Sequence, residues 1–163
     1  MGMKRNSLFL LAAPGAILVA SACAHPVIPN TAIADKAENR EVIAVLEQYR
    51  SAVEKRDAGK LSALSSFRYF DDMGTMGGSD DMDYNGLEQG LARVHEEVLD
   101  ARYNISYRRI TFAGDRVWVE VLYSGWFKVK AGEDGKPVWK RRLQSHRIAL
   151  ARENGRYRIV SGI

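Results

Sequence analysis

The chain has 163 residues, 46% of them apolar and 27% charged, with a formal charge of +4, which suffices for one hydrophobic core and is too short for two. Its 14 glycines and 4 prolines, with ordinary aromatic content, exclude a disordered, collagenous or low-complexity polypeptide. A single cysteine excludes an intramolecular disulfide and a cysteine-built zinc or iron–sulfur centre, so packing alone must hold the fold.

The first segment reads as an address. Lys4 and Arg5 precede an apolar run from Leu8 to Ala20, then Ser21, Ala22 and Cys23. The run is shorter than the roughly 20 residues of a spanning helix and is broken at Pro14-Gly15, so residues 1–22 are expected to be a signal peptide. Ala20-Ser21-Ala22-Cys23 resembles a bacterial lipobox, with Ala20 where leucine is usual. That resemblance implies lipidation of Cys23 and membrane attachment through it. Ala24, in place of an aspartate, implies the outer membrane if the host is Gram-negative. The same residues fit the A-x-A pattern of ordinary signal peptidase, which leaves a secreted or periplasmic protein as the alternative. Residues 23–37, with two prolines and no periodicity, are expected to be the anchor and a flexible tether carrying His25. There is no repeat of solenoid length, and the folded unit is expected over 38–163.

Within it, Val42, Val45, Leu46, Tyr49 and Val53 recur at helical spacing, with charged residues between them, predicting an amphipathic helix of about five turns. Asp57-Ala-Gly-Lys breaks it, and Leu61 and Leu64 mark a short second helix. Leu87, Leu91, Val94 and Val98 predict a third, from Gly86 or Leu87 to about Leu99, with Asn85 as its N-cap. The period then changes. Tyr103–Phe112, Arg116–Val129, Pro137–Arg152 and Arg156–Ser161 are β-branched and aromatic segments punctuated by turn residues, which predicts a four-stranded antiparallel meander. Val117, Val119, Val121, Tyr123 and Phe127 share one face of the second strand, and Trp118, Leu122 and Trp126 the other. One face should meet the helices and the other a second subunit, a protein partner or a pocket.

The fold class is therefore α+β, with N-terminal helices on an antiparallel sheet. The helix Glu41–Arg56, the segment Asp57–Leu64, the strand Val117–Phe127 and the run from His146 to Val160 together resemble the nuclear transport factor 2-like superfamily, which includes SnoaL-like cyclases and ketosteroid isomerases. The resemblance covers 38–163 and implies a strongly curved sheet closing into a cone. That fold hosts enzymes, binders and assembly modules, so function must come from the site. In the isomerases a carboxylate moves a proton beside a carbonyl while a tyrosine and a protonated aspartic acid hold the oxyanion. By resemblance, Tyr49, eight residues before Asp57, takes the tyrosine's place, and Asp72 lies within one residue of the base. The third role would fall near Gln144 or Ser145, and neither can be a protonated carboxylic acid.

Tyr103, Tyr107, Tyr123, Trp126 and His146 are further pocket candidates, since aromatics can stack on a flat apolar ligand and a histidine can exchange protons near neutral pH. No cofactor is implied. The acidic stretch from Phe70 to Gly86 includes Asp81-x-Asp83-x-Asn85-Gly86, the first half of a calcium loop. Its twelfth position is Ala92 where a glutamate is required, so capping of the third helix is the favoured reading and the metal the weaker one. Residues 71–100 carry nine acids against one arginine, and residues 101–163 fourteen bases against five acids. Basic residues that alternate faces of a strand argue against nucleic acid and leave envelope anions or the protein's own acidic loop as partners for the sheet. Two functions stand open. One is a tethered, non-catalytic binding or assembly module, homodimeric or bound to a partner through its sheet. The other is a cofactor-independent isomerase, cyclase or hydratase with Asp72 as base and Tyr49 as oxyanion donor.

Overall fold

The computed structural model describes residues 26–75, 77–130 and 136–163. The segment expected to be a signal peptide, Cys23 and His25 lie outside the described residues. Three helices, α1 (Ala37–Lys55), α2 (Ala58–Leu64) and α3 (Tyr84–Glu97), cover one face of a four-stranded antiparallel sheet. Two-residue strands β1 (Phe70–Asp71) and β2 (Met82–Asp83) pair with each other and frame the acidic loop. The sheet runs β3 (Val98–Ala113), β4 (Arg116–Lys130), β5 (Pro137–Glu153) and β6 (Arg156–Ser161), neighbours in space in chain order.

The helices form and stop where their residues dictate. Val42, Ile43 and Leu46 carry the buried stripe of α1, which ends where Arg56 enters the left-handed region and its N–H returns to the last carbonyls. Asp57 caps α2 by accepting from the Lys60 N–H at 2.9 Å. The cap of α3 is Asp83, which accepts from the Gly86 N–H at 2.8 Å, and not the expected Asn85. The helix therefore starts earlier, at Tyr84. This leaves one Asp83 oxygen committed to the helix end, and among the described residues no group of three His, Cys, Asp or Glu is placed to hold a metal at Asp81, Asp83 or elsewhere. The segment expected as a tether also contributes to the fold: Val27 bridges Ala34, and Ile33 is only 5% exposed within the core. Ile28 also packs against the core, and two isoleucines five residues apart in a proline-bearing stretch have no periodicity to announce such a role.

In the sheet, Trp118, Trp126 and Leu122 do face away from Val117, Val119, Val121, Tyr123 and Phe127, as strand alternation requires. The inner residues Val119, Ile148, Leu150 and Ile159 pack against Val42 and Leu46 of α1, all essentially solvent-free. Each such burial stabilises the fold by roughly 1.5–3 kcal/mol. A register shift between Tyr107 and Arg109 bends β3, and β3 itself begins at Val98, five residues before the predicted strand. Strand β3 is an edge, and the C-terminal end of α1 covers part of it. Glu54 accepts from the Tyr103 N–H at 3.1 Å, and the Arg56 guanidinium donates to the Val98 carbonyl at 2.7 Å. At the other edge, β6 pairs only with Ala149–Glu153, so the first part of β5 extends beyond it.

Candidate functional site

The inner face of the sheet and the three helices line a partly open cavity of about 490 Å³, a size suited to a small organic molecule. Tyr49 and Val53 enter from α1, Leu61 from α2, and Leu91 and His95 from α3. Tyr103, Tyr123, Phe127, Gln144 and His146 enter from the sheet, and Asp71, Met73, Gly162 and Ile163 close one end. The wall is built around an absent side chain. A Cβ on Gly125 would lie 2.4 Å from the Phe127 ring, so only glycine lets that ring fold back along β4 towards Tyr103. Tyr103 is the centre of the aromatic set: its ring meets Tyr49 edge-on at 6.1 Å between centroids and Tyr123 at 5.5 Å.

The polar atoms follow from these placements. Burial pushes the Tyr49 phenol up to about 12, with the neighbouring Tyr103 hydroxyl acting in the opposite direction. Burial also raises the Tyr103 phenol, and the neighbouring Tyr49 adds to the effect. Both are therefore protonated near neutral pH and act as hydrogen-bonding groups, not bases. The Tyr123 hydroxyl donates to Gln144 Oε1 at 2.8 Å, and the His146 ring lies 6.4 Å from the Tyr123 ring in an edge-on arrangement.

The sequence-derived candidates divide in space. Tyr49, Tyr103, Tyr123 and His146 come together in the cavity. Trp126 does not: it is one residue out of phase with Tyr123 and Phe127, projects from the outer face and is 47% exposed. Tyr107 is on the inner face but belongs to the packed core, where its hydroxyl donates to Glu47 Oε1 at 2.6 Å. Burial raises this phenol too, and the Glu47 carboxylate adds to the rise. Asp72 lies outside the cavity, in a separate cleft beside β5, with Oδ1 accepting from the Gly74 N–H at 3.0 Å.

Its neighbour Asp71 faces the cavity, but as a brace. Oδ1 accepts from the Met73 N–H at 3.0 Å and Oδ2 from the Gly162 N–H at 2.6 Å. Tyr69, whose hydroxyl donates to the Ile163 main-chain oxygen at 2.8 Å, stands 3.3 Å from the same Oδ2. Residue choice between two adjacent aspartates depends on the two-residue pairing of β1 with β2, for which no sequence signal is apparent. Phe127, by contrast, was recoverable from its phase with Tyr123.

No family model matches the chain, and no curated protein matches it in sequence. Solved structures do match in fold. A ketosteroid isomerase-like protein from Erwinia carotovora atroseptica superposes with a TM-score of 0.61 at 17% identity, over 78% of this chain and 94% of that one. A protein from Streptomyces avermitilis, provisionally assigned as a dehydratase of the nuclear transport factor 2-like family, gives 0.58 at 11% identity over 77% and 93%. One from Xanthomonas campestris, provisionally assigned as a calcium/calmodulin-dependent protein kinase II association domain, gives 0.60 at 14% identity over 85% and 94%. The domain thus has the α+β fold of the nuclear transport factor 2-like superfamily, with neighbours named for dehydratase, isomerase and association roles alike.

Proposed function

We propose that the domain is a binding module for a small, flat, largely apolar molecule with one hydrogen-bonding end. The observation that carries this reading is the aromatic cavity in which protonated Tyr49 and Tyr103 meet the Tyr123–Gln144 pair and His146. Aliphatic and ring surface from Val53, Leu61, Leu91 and Phe127 favours an apolar body, and the polar atoms orient its end. The non-catalytic form of this reading draws support from the commitments of the carboxylates. Asp71 is held by two backbone N–H groups, and Asp72 is out of reach of the cavity.

Export and anchoring through Cys23 are part of the proposal, carried by the leader sequence alone. 2-Naphthol, which has the required shape, tests the binding reading. It should raise the melting temperature of the wild-type chain more than that of Leu91→Trp, whose larger side chain takes up part of the cavity. Equal shifts in both proteins would remove the cavity from the account.

A second reading has one observation in its favour: His146 lines the cavity beside Tyr123 and could move a proton in a small carbonyl compound while Tyr49 or Tyr103 holds the oxygen. On this reading the base is His146 and not Asp72. Turnover abolished by His146→Gln but retained by Asp72→Asn would establish it, whereas the reverse pattern would return the role to Asp72.

A further inference from the structure

The outer face of the sheet carries a feature that the cavity does not use. Three arginine side chains lie over three tryptophans on this one face: Arg147 over Trp118 at 4.6 Å from the ring centroid, Arg102 over Trp139 at 5.4 Å and Arg141 over Trp126 at 5.7 Å. The pairing follows from register, since Arg102 and Arg141 flank Trp126 across β3 and β5, and Trp139 stands opposite Lys128. Among the described residues none of these three guanidiniums has a carboxylate within ion-pair distance, whereas Arg40, Arg50, Arg68, Arg109 and Arg152 each do.

The same face is apolar at one end. Trp126, Trp139 at 41% and Leu143 at 57% exposure stand together where β4 and β5 run past β6. Where β3, β4 and β5 pair, its charge is one-sided: Arg102, Arg109, Arg116, Lys128, Lys130, Arg141 and Arg147 project here against Asp100 and Glu120, while Asp72 borders the cleft beside Trp118 and Arg147, and Glu153, towards β6, is paired with Arg68.

We propose that this face docks on a bilayer surface with anionic headgroups. Guanidiniums held over indoles have lost part of their rotational freedom before binding and present a forked donor set that fits phosphate. Exposed indoles and leucine beside them suit the boundary between headgroups and acyl chains. A second copy of the chain meeting this face through its own would oppose like charges across the interface, which disfavours the symmetric sheet-to-sheet dimer expected from apolar content alone.

The test is co-sedimentation of the full chain with vesicles of phosphatidylglycerol and phosphatidylcholine in equal parts, against phosphatidylcholine alone, for the wild type and for Arg102→Gln/Arg141→Gln/Arg147→Gln. Wild type should prefer the anionic vesicles at least tenfold, and the triple variant should lose roughly a hundredfold of that binding with an unchanged melting temperature. Retention through the leader segment would be insensitive to all three substitutions, so equal binding by wild type and variant overturns the proposal. So does binding of soluble polyphosphate without a preference for anionic vesicles. A dimer in sedimentation velocity that Trp126→Ser/Leu143→Ser converts to monomer would assign the face to a second copy instead.

Discussion

Asp71 Oδ2 accepts a 2.6 Å hydrogen bond from the N–H of Gly162, 91 residues away, and thereby fastens the end of β1 to the residue that follows β6. One carboxylate thus closes an end of the cavity and satisfies a backbone donor left over where the sheet stops. The adjacent Asp72 makes only a local turn contact with Gly74.

The two aspartates should therefore respond differently to substitution. Asp71→Ala leaves the Gly162 N–H unpaired and should cost about 1–3 kcal/mol in urea denaturation. Asp72→Ala should fall within about 0.5 kcal/mol of wild type, as exposed substitutions usually do. Equal losses would mean that the two side chains share the brace.

Gly162 is equally constrained from its other side. Its φ of +92° lies outside the ordinary range of L-residues, and a Cβ would come within 2.4 Å of the Arg147 carbonyl oxygen. Gly162→Ala should destabilise the fold by at least about 2 kcal/mol, whereas Gly114→Ala, at a hairpin turn with open space around it, should lose only the roughly 1 kcal/mol of a left-handed conformation.

The buried phenols predict an alkaline limit to stability. Tyr49 rises from 10.0 to about 12 in the folded protein, and Tyr69, Tyr103 and Tyr107 are raised as well, burial being the first cause in each. Above pH 10 the unfolded chain sheds these protons while the folded one retains them, so the unfolded state is favoured as pH rises. Stability should be level below about pH 9.5 and fall steadily from pH 10 to 12. Tyr107→Phe should lessen that slope, and an unaltered slope would show that its phenol does not contribute to it.

Much of the architecture was legible before any coordinates. The meander from Arg116 to Ser161 and the stripe Val42–Leu46 carry strong periodicities, and a repeat of two or of three to four residues survives burial because it is what burial selects. What escaped lies where no periodicity exists. Ile33 packs into the core from a segment without a pattern, and the cap of α3 moves from Asn85 to Asp83 because β2 delivers that residue to the helix end.

The site was legible only in part for a related reason. Tyr49, Tyr103, Tyr123 and His146 converge because the curved sheet turns its inner face onto α1, while Trp126 and Asp72 lie one position out of phase with the residues that face the cavity. In a strand a single position reverses the face.

The central claim is that the cavity holds a small organic molecule, and native mass spectrometry of the chain purified gently from its own host tests it most directly. Wild type should carry a stoichiometric organic adduct that Leu91→Trp, prepared in the same way, carries at lower occupancy. Equal occupancy on both proteins, or a wild-type chain that bears none, would contradict the account.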